Sequence, residues 1–158
     1  MNKKELRCGN LVEILTSNSM VNLPTGKFGT IEEVREEKAK IRYDYDTSDG
    51  FCVFNRRYDT IRPIKIKGEI LIQLGFIKSK GRYGDDYYLI RNDYDIYFVI
   101  EHWTDTEEDS KWKNHWFIKY TIKPFDIKYI HEIQNLFFAL TGEELQYNRL
   151  SEKTTEKQ

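Results

Sequence analysis

The sequence is short of the residues that would make its chemistry easy to name. Its 158 residues hold two cysteines, Cys8 and Cys52, too few for a disulfide framework and suited to a reducing compartment. There are three histidines, three prolines and two methionines. Neither sign of charge is in excess: 25 Lys and Arg face 26 Asp and Glu, for a net charge of -1. That balance excludes a protein whose hold on nucleic acid rests on bulk positive charge, because each neutralised phosphate needs a cation. No apolar run approaches the ~20 residues of a membrane helix, so no membrane partner is expected. Met-Asn-Lys-Lys-Glu-Leu-Arg at the start has no apolar core behind its basic residues and does not read as a signal peptide. Internal repeats and low-complexity segments are also missing. These absences point to a cytoplasmic protein.

What the chain has is aromatic residues: 11 Tyr, 9 Phe and 3 Trp, in a sequence that is 32% charged. The first sixty-odd residues read as short strands. Leu11 to Leu15 is one, and Gly29 to Val34 is another. Ala39, Ile41, Tyr43 and Tyr45 alternate with Lys40, Arg42 and Asp44, which predicts a half-buried strand. Asp49-Gly50 is a hairpin signal before a strand over Phe51 to Phe54, and a last strand around Tyr58 to Ile66 is ended by Pro63. Ser17 to Lys27, with Asn18, Asn22, Pro24 and Gly26, reads as a loop. Five closely spaced strands predict a small SH3-like β-barrel over residues 1–66.

Beyond Ile66 an α+β unit is expected over residues 67–146. Ile70, Leu71 and Leu74 mark a short helix stopped by Gly75. Tyr87 to Ile90, Ile96 to Trp103 and His115 to Ile122 read as a three-stranded antiparallel meander. A helix from Asp126, as N-cap, to Thr141 is apolar around most of its girth, with Ile130, Ile133, Leu136, Phe137 and Leu140, and is expected to lie buried against the meander. Residues 147–158 form a polar tail. The fold expectation is thus α+β, a barrel followed by a meander on a buried helix.

Few residues suggest catalysis. His102 and His115 lie on neighbouring strands and each precedes a Trp, but neither stands in a His-x-His or Glu-x-x-His spacing. His131 sits beside Gln134 and Asn135, a pattern of a hydrogen-bonded structural cluster. Cys52 lies mid-strand between Phe51 and Val53, as a small buried hydrophobe would. Asp126-Ile127-Lys128 matches the carboxylate-x-Lys half of a nuclease site, without an acidic partner on a preceding strand. There is no nucleophile elbow and no phosphate-binding glycine loop. No catalytic residue, metal or cofactor is therefore assigned.

Arginines beside aromatics are the better signal. Arg42-Tyr43, Arg56-Arg57-Tyr58 and Arg82-Tyr83 each place a guanidinium next to a phenol. Such pairs suit a base and its phosphate, or the anchors of a protein interface. Trp103, Trp112 and Trp116 add to this set, with Trp112 in the polar stretch Lys111 to Asn114 where a hairpin loop should expose it. The candidate binding residues are these nine: Arg42, Arg56, Arg57, Tyr58, Arg82, Tyr83, Trp103, Trp112 and Trp116.

Two segments also carry a resemblance. Leu6-Arg7-Cys8-Gly9-Asn10-Leu11-Val12 resembles a Leu-Arg-x-Gly-Asn-x-Val opening. His131-Glu132-Ile133-Gln134-Asn135-Leu136-Phe137-Phe138-Ala139-Leu140-Thr141-Gly142-Glu143-Glu144-Leu145 resembles a His-x-Leu-Gln-Asn-Leu-Tyr-Phe-Ala-Leu-Thr-Gly-Glu-Glu-Leu ending. Both are similar to a group of small proteins of Bacteroidetes-type bacteria and their phages, in which a Pro-Ile junction (here Pro63-Ile64) and a Leu-x-x-x-Gly-Phe helix (here Leu71 to Phe76) recur. No catalytic residue is assigned in that group, so none is carried over. The resemblance implies a phage or mobile-element accessory protein that binds and blocks a host defence component. Its expected partner is a host protein or a nucleotide-type signal, in the host cytoplasm. The alternative is a nucleic-acid-binding accessory acting through the barrel. The same surfaces would also admit a second copy of the chain.

Overall fold

Alternating apolar residues dictate the first sheet. The computed structural model describes residues 3–18, 21–44, 50–80, 86–91, 97–103, 115–118 and 125–148. Strands β1 (Leu11–Asn18), β2 (Val21–Val34), β3 (Lys38–Asp44), β4 (Phe51–Arg57) and β5 (Ile61–Pro63) form an antiparallel sheet in the order β4-β3-β2-β1-β5. Leu6, Val12, Ile31, Ala39, Ile41 and Ile61 make its core, with Val34, Phe54 and Tyr58 packed against them. A single 3-10 turn, Tyr58–Thr60, leads into β5, which Pro63 ends at the sheet edge. Among the described residues no pair joins β4 to β5, so the architecture seen is α+β with two open antiparallel sheets.

Where a loop was expected over Ser17 to Lys27, β1 and β2 continue as a paired arm from Leu15↔Pro24 to Asn18↔Val21. Asn18, Asn22 and Pro24 are paired in this arm, and Gly26 falls in a bulge. The register shifts between Ile14 and Leu15, leaving Thr25 and Gly26 as extra residues on β2. The Thr25 hydroxyl donates to the Ile14 carbonyl at 2.7 Å, and Gly26 takes a left-handed φ of 70°. One glycine and one hydroxyl thus turn a loop signal into a bulged strand.

The second sheet contains β6 (Ile77–Lys80), β7 (Asp86–Arg91), β8 (Tyr97–Trp103), β9 (His115–Ile118) and β10 (Phe125–Ile127), in the order β10-β9-β8-β7-β6. It exceeds the expected meander by an edge strand on each side. Helix α1 (Gly68–Gln73) precedes it, and Ile70, Leu71, Leu74, Phe76, Tyr88, Ile100 and Ile118 are buried in this part of the chain. Asp126 is a β10 residue rather than a helix cap. Helix α2 runs from Ile130 to Thr141 behind Tyr129, whose N–H donates to the Glu132 carboxylate at 2.9 Å. It ends at Gly142 in the left-handed conformation, φ 76°.

Contacts divide the chain into Met1–Lys65 with Tyr129–Glu144, and Ile66–Lys128 with Leu145–Gln158. Helix α2, expected on the meander, therefore groups with the first sheet. It is buried along one face only, through Ile130, His131, Ile133, Gln134 and Phe137, while Leu136 is half-buried and Phe138 is exposed. The chain leaves and re-enters the first unit side by side: Lys65 bridges Tyr129, and the Ile130 N–H donates to the Ile64 carbonyl at 2.9 Å.

A polar latch fixes α2 to β1. The Gln134 side chain accepts from the Leu11 N–H at 2.8 Å and donates to the Gly9 carbonyl at 3.0 Å. Asn135 accepts from Asn10 Nδ2 at 2.8 Å and donates to the Glu5 carbonyl at 2.8 Å. The Arg7 guanidinium donates to both Glu144 carboxylate oxygens and to the Gln134 carbonyl, and lies 4.2 Å from the centre of the Phe138 ring. Gly9 has φ 88°, a left-handed conformation that favours glycine, and its Cα lies close under the Glu144 carboxylate. The two segments that carry the family resemblance are therefore bonded to each other.

His131 belongs to this buried face. Burial holds its imidazole below the ordinary 6.5, opposed by the Glu132 and Glu5 carboxylates; Glu5 Oε2 is 4.0 Å from Nε2. Because the folded value is depressed, the unfolded chain binds the proton more readily. Stability from this group is full above 6.5 and is lost as pH falls through it. Urea midpoints measured from about pH 7.5 to about pH 5.5 should fall, and His131→Gln should flatten that dependence; an unchanged slope in the variant would show that other groups carry it.

Candidate recognition surface

Strand alternation sorts the N-terminal candidates onto two faces. Along β4 the even-numbered residues Cys52, Phe54 and Arg56 are half-buried, while Phe51, Val53, Asn55 and Arg57 are exposed. The register Arg42↔Val53, Lys40↔Asn55 and Lys38↔Arg57 brings β3 cations beside that outer row. Phe51 and Val53 are 54% and 37% exposed, so large apolar surface lies among charges. The Arg42 guanidinium stacks over the Phe51 ring at 4.3 Å, which desolvates one face of the ring and fixes the cation. Arg42 and Arg57 belong to this outer face.

Arg56 and Tyr58 do not. The Arg56 guanidinium lies over the Phe54 ring at 4.7 Å on the core side. Tyr58 packs on the core, and its hydroxyl donates to the Arg35 carbonyl at 2.6 Å, with the Lys38 carbonyl at 3.2 Å. It thereby pins the β2–β3 turn, where the Arg35 N–H also donates to the Lys38 carbonyl. Burial raises the Tyr58 phenol above its ordinary value, against the lowering effect of its bond to Arg35. A shallow cleft lined by Glu37, Lys38, Arg57, Tyr58 and Asp59 borders this turn.

The cations of the outer face are largely offset by carboxylates. Lys40 lies 3.3 Å from Glu32, Arg57 lies 3.4 Å from Asp59, and Arg35 pairs with Glu33 at 2.8 Å. Hydrogen bonding from Arg35 holds the Glu33 carboxyl below its usual range. A face neutralised in this way is a poor trap for phosphates and a better surface for apolar contact.

In the second sheet, Lys80, Asp86, His102 and Trp116 occupy one row of directly opposed positions across four strands. Lys78 and Lys80 reach Asp86 at 2.7 and 2.9 Å, and their hydrogen bonds, Lys78 first, hold its carboxyl below the usual range. His102 stacks on Trp116 with ring centres 4.0 Å apart and planes within 8°. Trp116 is thus half-buried in sheet packing. In the same register Trp103 pairs with His115 along the backbone. Among the described residues, no three His, Cys, Asp or Glu side chains gather as a metal site. Arg82, Tyr83 and Trp112 lie outside the described residues.

Phe51 and Val53 were missed because Phe51-Cys52-Val53-Phe54 reads as apolar on both faces. The signal was two residues further on: Asn55 and Arg57 share their parity and mark the row as solvent-facing. The two faces should answer differently to truncation. Tyr58→Phe should cost about 1 kcal/mol in urea denaturation, the net value of one hydrogen bond. Arg42→Ala should stay within about 0.5 kcal/mol of the parent, as surface changes do. Equal losses would mean that Arg42 also holds the fold.

No protein-family model, no curated protein and no solved structure matches the chain.

Proposed function

We propose that the chain is a non-catalytic binding protein whose partner is a protein, engaged by the outer face of β3 and β4. The observation that carries this reading is the exposed Phe51–Val53 pair, with Arg42 stacked on Phe51, in a face where Glu32 offsets Lys40 and Asp59 offsets Arg57. Aromatic and arginine side chains that are already ordered lose little freedom on association and are the usual anchors of interfaces. The family resemblance supplies the context: a phage or mobile-element protein that sequesters or inhibits a host defence component in the host cytoplasm. An SH3-like barrel belongs to the same reading. Its support is the strand order β4-β3-β2-β1-β5, the long bulged β2 and the one-turn 3-10 helix before β5.

The nucleic-acid alternative has one observation in its favour, the cross-strand neighbours Lys38 and Arg57 at the end of this face. Salt separates the two readings. Capture of the partner from a lysate of the natural host should survive a rise from about 50 to about 200 mM salt, whereas binding through many phosphates would fall by ~10³ or more. Phe51→Ser should weaken capture by ~30-fold, the equivalent of about 2 kcal/mol for an anchor, with melting unchanged. Capture that is insensitive to Phe51→Ser would overturn this surface.

A further inference from the structure

The two edges of the first sheet are built differently. Edge strand β5 has three residues, is bounded by the 3-10 turn and Pro63, and its Arg62 is held by the buried Glu13 carboxylate at 2.7 Å. That edge is short and guarded. Edge strand β4 has seven residues, each in register with β3 from Lys38↔Arg57 to Asp44↔Phe51, with no bulge and no proline. Its stretch Phe51 to Asn55 carries no charge and has the β-branched and aromatic character of a strand interior. Such an edge offers a row of outward N–H and C=O groups as a template for another strand.

We infer that β4 is a self-association edge, on which a second copy of this chain pairs antiparallel about a two-fold axis at Val53. The inference stands apart from the partner reading, because pairing uses the strand's backbone edge while the partner uses the sheet face. The sequence of β4 selects the axis. With the two-fold at Val53, Val53 meets its own copy, Phe51 meets Asn55, and on the core side Cys52 meets Phe54. Every pair in the five-residue overlap is uncharged. The Arg57 residues of the two copies then lie eight positions apart along the paired strands, roughly 27 Å at about 3.4 Å per residue. Their repulsion is screened, since the Debye length is about 10 Å at 0.1 M salt. An axis at Phe54 would instead set Arg56 against Cys52 and Arg57 against Phe51, drawing four guanidinium groups into the ladder. The Val53 axis also joins two copies of the Phe51–Val53–Arg42 face into one continuous surface.

Sedimentation equilibrium of the full chain tests this. The expected result is a monomer–dimer mixture that shifts to dimer with concentration. Val53→Lys sets two ammonium groups side by side at the axis and should give a monomer with unchanged melting. Register is read by oxidation in a Cys8→Ser background. Val53→Cys should form a disulfide-linked dimer, because directly opposed Cβ atoms stand about 4.5–5.5 Å apart. Phe51→Cys, which faces Asn55, should not. A monomer at every concentration overturns the inference, as does a dimer that persists in Val53→Lys or cross-links equally at position 51. None of these results bears on whether Phe51→Ser loses the protein partner, so the two readings fail separately.

Discussion

The side-chain amide of Gln134 is the contact on which the first unit depends. It closes one bond to the Leu11 N–H and one to the Gly9 carbonyl, in a position that is almost wholly buried. An amide in that place has to be satisfied completely, because a buried unpaired donor or acceptor costs about 1–3 kcal/mol. Asn10 and Asn135 complete the set, and Arg7 with Glu144 covers its rim. The latch fixes which turn of α2 meets β1, something that apolar contacts alone specify less sharply. It also ties residues more than 120 positions apart, so α2 returns to the first sheet only after Ile66–Lys128 of the second unit.

That placement separates the latch from the proposed recognition row. The latch acts on β1, the strand between β2 and the guarded edge β5, while the exposed row lies on β4 at the opposite edge. Two strands intervene, roughly 14 Å at about 4.8 Å per strand spacing. A partner engaged at Phe51, Val53 and Arg42 would therefore leave the polar cluster intact. Tyr58 lies between the two roles: its sequence resembles a recognition patch, but its hydroxyl is committed to the β2–β3 turn.

Much of this was legible in the chain. The alternation in Ala39 to Tyr43, the end at Pro63 and the helix stops at Gly75 and Gly142 all rest on local physics that tertiary context did not override, while Asp49 of the Asp49-Gly50 signal lies outside the described residues. The failures came where one residue had two uses. Gly26 signals a loop and serves a bulge; Asp126 signals a cap and lies in a strand. Strand β6, Ile-Lys-Ser-Lys, is an exposed edge with no apolar face for periodicity to detect. In the candidate site, pairing arginine with a neighbouring tyrosine ignored that adjacent strand residues point to opposite faces. Arg42 and Arg57 were legible as surface residues, whereas Arg56 and Tyr58 belong to the core side.

The claim that α2 and the first sheet are one unit, closed by the Gln134 latch, can be tested without knowing any partner. In a chain where residues 66–128 are replaced by a short Gly-Ser link, Lys65 and Tyr129 remain neighbours, as their bridge requires. Amide exchange should then show the Leu11 N–H and the α2 amides protected to the same degree and released together on denaturation. Protected β-sheet amides beside a freely exchanging α2 would contradict the account.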